Sequence, residues 1–189
     1  MPSDDFFSRV KAFFGIRPKE TRYVRFRDGL GNFELFYPEG WKFDEDIAVM
    51  DGRYTISFQS GDGLSQFTVS VDVQLPAKFN FRKYAKDELE SPESGIFTKV
   101  TRSKFHGMPS FVRDYGYSSG GREFFGGGVM FYSGSAVFSL SWSAPEKKKE
   151  AMGAAFAHMM KTLAVRKGFV IKKRSIPGVD ASKLRTKNA

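Results

Sequence analysis

Residues 135–163 run SAVFSLSWSAPEKKKEAMGAAFAHMMKTL, and the period of the hydrophobic pattern changes within them. Before Pro145, aromatic and β-branched residues crowd a short segment, as in a strand. After it, Met152, Phe156, Met159 and Leu163 recur at three- and four-residue spacing, as on one face of a helix. The spacing predicts a helix over 146–165, with Gly168 as its stop. Lys147, Lys148 and Lys149 in its first turn oppose the helix dipole, a mild cost. A strand feeding a long amphipathic helix points to an α+β domain in which that helix closes a sheet.

Toward the N-terminus, strand-like segments accumulate. REFFGGGVMFYS (122–133), PSFVRDYGYS (109–118) and TKVTRSKF (98–105) are separated by turn signals at SGS, SSGG and HGMP. The Gly126-Gly127-Gly128 run inside one of them predicts a bulge, or a place where backbone or ligand approaches closely. FRKYAKDELES (81–91) predicts a short polar helix that packs Phe81, Tyr84, Ala85 and Leu89 downward and ends at Pro92. RYTISFQS and QFTVSVDVQL flank GDGLS as a hairpin, with Phe67, Val69, Val71 and Val73 on one face and Ser70 and Asp72 on the other. RYVRFRD and NFELFYP flank DGLGN as another, with Phe33, Leu35 and Tyr37 on one face. The stretch DEDIAVMDG (44–52) between the hairpins is expected to be a loop.

The organisation expected is therefore an N-terminal amphipathic helix and linker (1–21), an α+β domain (22–167) and a basic tail (168–189). In the N-terminal segment Phe6, Phe7, Val10, Phe13 and Phe14 fall on one helical face over residues 4–16, and Gly15 and Pro18 end the run.

Composition limits the chemistry. Cysteine is absent, which excludes a disulfide framework, a thiolate zinc site and a thiol nucleophile. The two histidines, His106 and His158, are too far apart for any paired-ligand motif. No GxSxG elbow, GK[ST] phosphate loop or GxGxxG turn occurs. Asp114 and Glu123 are placed to face each other across a hairpin, but Arg113 and Arg122 beside them make an ion-pair ladder the simpler account. No catalytic residue and no cofactor is assigned. The acidic stretch Asp44-Glu45-Asp46, with Asp51 nearby, lacks the EF-hand pattern and reads as a solvated loop, so no metal site is assigned either.

The net charge of +9 is concentrated at one end. Residues 166–189 hold eight Lys or Arg against Asp180 alone, whereas residues 1–165 hold 22 basic and 20 acidic residues. The domain itself is close to neutral, which argues against a nucleic-acid binder. No apolar run matches a secretory signal or a spanning helix, so the expected location is cytoplasmic, with peripheral membrane association as the variant.

Several stretches, in this order, resemble the PsbP-like superfamily, which includes the Mog1 and DcrB-type proteins. They are FELFYPEGWKF (33–43), RYTISFQS, FTVSVDVQL, FHGMPSFVRDYGY (105–117) and the closing strand, turn and helix of 135–163. The resemblance covers roughly residues 30–165. It implies an α/β/α sandwich around an antiparallel sheet of about six strands. It also implies a largely non-enzymatic role as an assembly factor, accessory subunit or binder. The superfamily shares no active site, so no functional residue transfers.

The expected function is a non-catalytic binding or assembly module that contacts another protein through an aromatic surface. The alternative is a peripheral membrane protein. It would be held by Phe6, Phe7, Val10, Phe13 and Phe14 together with the basic Lys172, Lys173 and Arg174, which would face an anionic membrane surface. Exposed sheet edges also allow a homodimer.

Overall fold

A computed structural model describes residues 21–46, 52–75, 78–90, 96–97 and 100–166. Two sheets and two α-helices make up the fold of the described residues. The small sheet has the order β1 (Tyr23–Arg27), β2 (Phe33–Pro38) and β11 (Ala164–Val165). The large sheet contains β3 (Lys42–Asp46), β4 (Arg53–Gln59), β5 (Gln66–Asp72), β6 (Ile96–Phe97), β7 (Thr101–Phe105), β8 (Met108–Ser119), β9 (Arg122–Tyr132) and β10 (Val137–Pro145). Its order is β3-β4-β5-β10-β9-β8-β6, with β7 also on β8. Every pairing is antiparallel. The short β6 and β7 follow one another along the same edge of β8, opposite Gly116–Tyr115 and Val112–Met108. The sheet thus has eight strands where the resemblance implied about six.

Helices cover both faces of the large sheet. On one face, α1 (Phe81–Glu90) buries Ala85 and Leu89 against Met130 and Val137, with Phe81, Tyr84 and Phe111 packed around them. Asn80 starts this helix by accepting the Lys83 N–H on its side chain at 3.1 Å, the usual N-cap arrangement. On the other face lies the larger core. A 3-10 turn (Glu146–Lys148) leads into α2 (Lys149–Thr162), whose Phe156 ring meets Trp41, Phe67 and Phe125. Beside α2 the small sheet stacks Phe26 and Tyr37 on Phe58, and Phe33 on Phe138. Each fully buried ring of this kind contributes about 1.5–3 kcal/mol relative to an exposed one.

Three local expectations are corrected by this arrangement. The helix predicted to reach 165 ends at Thr162. Leu163 turns extended (ψ 113°), and Ala164–Val165 add to β2 as a third strand. The expected stop, Gly168, lies outside the described residues. The acidic stretch 44–46 is not loop but part of β3, the edge strand paired with β4. A short edge strand tolerates charge because one side faces water, and charge there discourages further pairing. The first hairpin, β1 and β2, forms the small sheet together with β11, as a hairpin of the kind expected. Finally, the glycine run holds unbroken register, with Gly126, Gly127 and Gly128 opposite Ser143, Trp142 and Ser141, so there is no bulge.

The close approach expected at those glycines is present. A Cβ on Gly126 would collide with the Trp142 carbonyl oxygen and the Tyr115 ring, and one on Gly127 would collide with the Trp142 indole. Two hairpins are closed by two-residue loops. His106-Gly107 (φ 48° and 81°) and Gly120-Gly121 (φ 56° and 71°) both take positive φ at both positions, as a type I′ turn requires.

Candidate functional site

The sequence-based candidates Phe6, Phe7, Val10, Phe13, Phe14, Lys172, Lys173 and Arg174 all lie outside the described residues. Within the domain, an apolar surface emerges where the small sheet meets the edge of the large one. Among the described residues β3 pairs with β4 on one side only and ends the sheet. Phe43 on this strand is 49% exposed, more than any other large hydrophobic side chain among the described residues, with Val24 at 40% and Phe36 at 38%.

Packing explains why Phe43 is held in place while half open. Its ring lies edge-on to Phe26 at 5.0 Å and near Tyr37 and Phe58 at 6.1 and 6.2 Å. Val24 stands opposite Tyr37 on the β1–β2 ladder. Val24, Tyr37 and Phe43 thus form a continuous apolar seam rooted in the core. Phe36 is on the other face of β2, opposite Arg25, and belongs to a different surface. Its main-chain N–H is capped by the Thr162 hydroxyl at 3.1 Å, at the end of α2. Lys42, Asp44 and Glu45 flank Phe43, so a charged fringe borders the apolar seam.

Behind the seam, a buried polar cluster fixes the turn of the first hairpin. The Asp28 carboxylate accepts the N–H groups of Asn32 (2.6 Å) and Phe33 (3.3 Å) on one oxygen and the Tyr54 hydroxyl (2.8 Å) on the other. The Asn32 side-chain amide in turn donates to the Tyr54 oxygen at 3.1 Å. Burial, reinforced by the Asp28 charge, pushes the Tyr54 hydroxyl far above its ordinary value. All three residues are buried and mutually satisfied, so the cluster is a structural clamp between sheets and not a reactive dyad.

A second polar group sits over the other face. The Tyr84 hydroxyl donates to Asp72 at 2.8 Å and accepts from Arg53 at 2.6 Å, with Glu88 beside Arg53 at 3.6 Å. Burial first, then the Asp72 hydrogen bond, pushes Tyr84 up to about 12. These residues border a cavity of only about 60 Å³, too small for a substrate.

The remaining sequence candidates are dispersed. Asp44 and Glu45 project to opposite sides of β3 and cannot converge on one ion, and Asp51 lies outside the described residues. Among the described residues no group of three or more His, Asp or Glu is placed to hold a metal. Asp114 stands opposite Gly127, whereas Glu123 stands opposite Ser118 and accepts its hydroxyl at 2.5 Å, so the two carboxylates do not face each other. His106 is exposed in its turn, with Nε2 3.0 Å from the Met160 carbonyl oxygen. His158 stacks on Tyr23 with ring centroids 3.7 Å apart, and burial, then Lys161, lowers its pKa. No helix among the described residues is long and apolar enough to cross a membrane.

The Phe43 seam was missed at the sequence level because KFDED carries a strong loop signal. Only the alternation of FELFYPEGWKF, continued past the turn, hinted at another strand.

No family model matches the sequence, and no curated protein sequence matches it. Solved structures do match. Cyanobacterial PsbP (CyanoP) from Synechocystis superposes with a TM-score of 0.56 at 13% identity, covering 78% of this chain and 95% of that one. A structure from Bacteroides thetaiotaomicron superposes with a TM-score of 0.52 at 19% identity, covering 76% of this chain and 48% of that one. This chain spans about half the length of the second protein. The fold is PsbP-like, as the ordered motifs of the sequence implied.

Proposed function

We propose that this PsbP-like domain is a non-catalytic binding or assembly module that contacts another protein through the aromatic surface around Phe43. One observation carries the reading: Phe43 is half exposed on the outer edge of the large sheet, which is unpaired among the described residues, and is continuous with Val24 and Tyr37. An edge strand offers a row of main-chain donors and acceptors, and the adjoining ring offers an apolar anchor. Together these are the elements of strand addition by a partner. The polar clusters described above are closed on themselves, which favours binding over catalysis.

The test is co-purification of the tagged full-length chain from its native host, compared with Phe43→Ser. A protein retained by the parent and lost from a folded Phe43→Ser variant supports the reading. Identical partner sets sink it. Recovery of the chain itself as that protein makes the partner a second copy. The peripheral-membrane alternative depends on residues 4–16 and the basic tail. Salt-sensitive co-sedimentation with anionic vesicles that is lost on removing residues 1–16 would favour it over the protein partner.

A further inference from the structure

At the turn end of the small sheet, two guanidinium groups have no ionic partner among the described residues. Arg27 ends β1 and Arg166 follows β11, the two strands that flank β2. Arg27 and Ala164 both stand opposite Glu34, and the Arg166 N–H extends the ladder by donating to the Asn32 carbonyl at 2.8 Å. Opposed residues share a face and successive ones alternate. Arg27 and Arg166 therefore rise on the same outer face, away from Phe33 and Leu35. Two strand spacings and a two-residue offset along β2, about 12 Å in all, separate their main chains.

The nearby carboxylates are already engaged. Glu34 is paired with Arg25 at 2.6 Å. Asp28 is buried, and its oxygens are taken by Asn32, Phe33 and Tyr54. Among the described residues neither Arg27 nor Arg166 forms an ion pair. Between them opens a cleft of about 410 Å³, walled by the turn 28–32 and the two arginines. Gly31, whose φ of 71° favours glycine, lies beside Arg27: a Cβ there would stand in ordinary contact with the Arg27 Nη2, at 3.7 Å.

We propose that this cleft binds the phosphate group of a small organic ligand or lipid headgroup, held between Arg27 and Arg166. A guanidinium fork matches phosphate oxygens in pairs. Two forks approaching from separate strands suit a tetrahedral group with three free oxygens better than a planar carboxylate. The volume exceeds what a bare ion needs and falls within the range of small-molecule sites, about 300–1,000 Å³.

The experiment is titration of the full-length chain with pyrophosphate, with AMP, and with vesicles containing phosphatidic acid, followed by amide chemical shifts and calorimetry. The cleft predicts that the amides of Gly29, Gly31 and Arg166 shift with at least one probe. Arg27→Gln combined with Arg166→Gln weakens that binding at least tenfold. Arg122→Gln, at the exposed β8–β9 turn, leaves it within twofold, as does the combined Lys172→Gln, Lys173→Gln, Arg174→Gln variant. Response to soluble probes assigns a free phosphate ligand, and response to vesicles alone assigns a headgroup. No shift at these amides with any probe overturns the proposal. So does equal loss of binding in the Arg122 or tail variants, which would reduce the effect to general positive charge.

Discussion

The Tyr115 hydroxyl donates to the main-chain carbonyl of Trp142 at 3.0 Å, reaching from β8 across β9 to β10. It can do so because Gly126, which stands opposite Tyr115, has no side chain in the way. On the other face the Trp142 indole lies over Gly127 in the same manner. The glycine run is therefore a flat strip on which two aromatic rings lie, one from each side. Gly126→Ala and Gly127→Ala should each destabilise by about 1–3 kcal/mol through overpacking. Gly128→Ala meets the end of the Leu89 side chain at 3.4 Å and the Leu140 carbonyl oxygen at 3.7 Å, both ordinary contacts, and should be nearly neutral. Urea denaturation of the three variants checks the contrast.

The Asp28–Tyr54 clamp predicts a cost for removing one hydroxyl. Tyr54→Phe deprives Asp28 of a donor and Asn32 of an acceptor inside a buried cluster. It should lower stability by about 1–3 kcal/mol in chemical denaturation.

The same tyrosine sets a pH dependence. Its folded pKa is raised above the ordinary 10.0, and that of Tyr84 is raised to about 12. A group whose pKa is raised on folding contributes stability that is intact below its unfolded value and lost above it. Unfolding free energy should hold steady up to about pH 10 and fall beyond it, and Tyr54→Phe should flatten that fall. Denaturation midpoints measured from pH 8 to 11 decide it.

At the acid end the sign reverses for His158. Burial lowers its pKa from 6.5, so the folded state binds its proton less well than the unfolded chain. Its contribution is intact above 6.5 and diminishes as pH falls toward the folded value. An NMR titration of the imidazole should give a midpoint below 6.5. A midpoint above it would mean that the Tyr23 stack favours the charged ring instead.

Much of the fold was legible because strand alternation and helical spacing both have fixed periods. RYTISFQ, QFTVSVD and the Met152–Phe156–Met159 stripe all took the elements their patterns dictate. Where tertiary pairing decides, local pattern failed. KFDED becomes a strand because Phe43 completes an aromatic cluster with Phe26 and Phe58, against the loop preference of its acids. Ala164–Val165 leaves the helix because β2 offers a free edge there. The candidate surface depends on the first of these long-range pairings and the cleft between Arg27 and Arg166 on the second, so neither has a signature in any single segment.

A functional surface should tolerate substitution better than the core behind it. Phe43 is half exposed and Phe58 fully buried, although their rings are neighbours. Phe58→Ala should cost about 3–5 kcal/mol, and Phe43→Ser much less in the same denaturation assay, leaving a folded protein for binding measurements.

The most direct test of the partner-binding surface is photo-crosslinking in the native host from a photoreactive amino acid at position 43, with position 104 on β7 as the control. The account predicts one discrete protein adduct from position 43, absent from position 104 and lost when Val24→Asp is added. No adduct from position 43, or the same diffuse labelling from both positions, would contradict it.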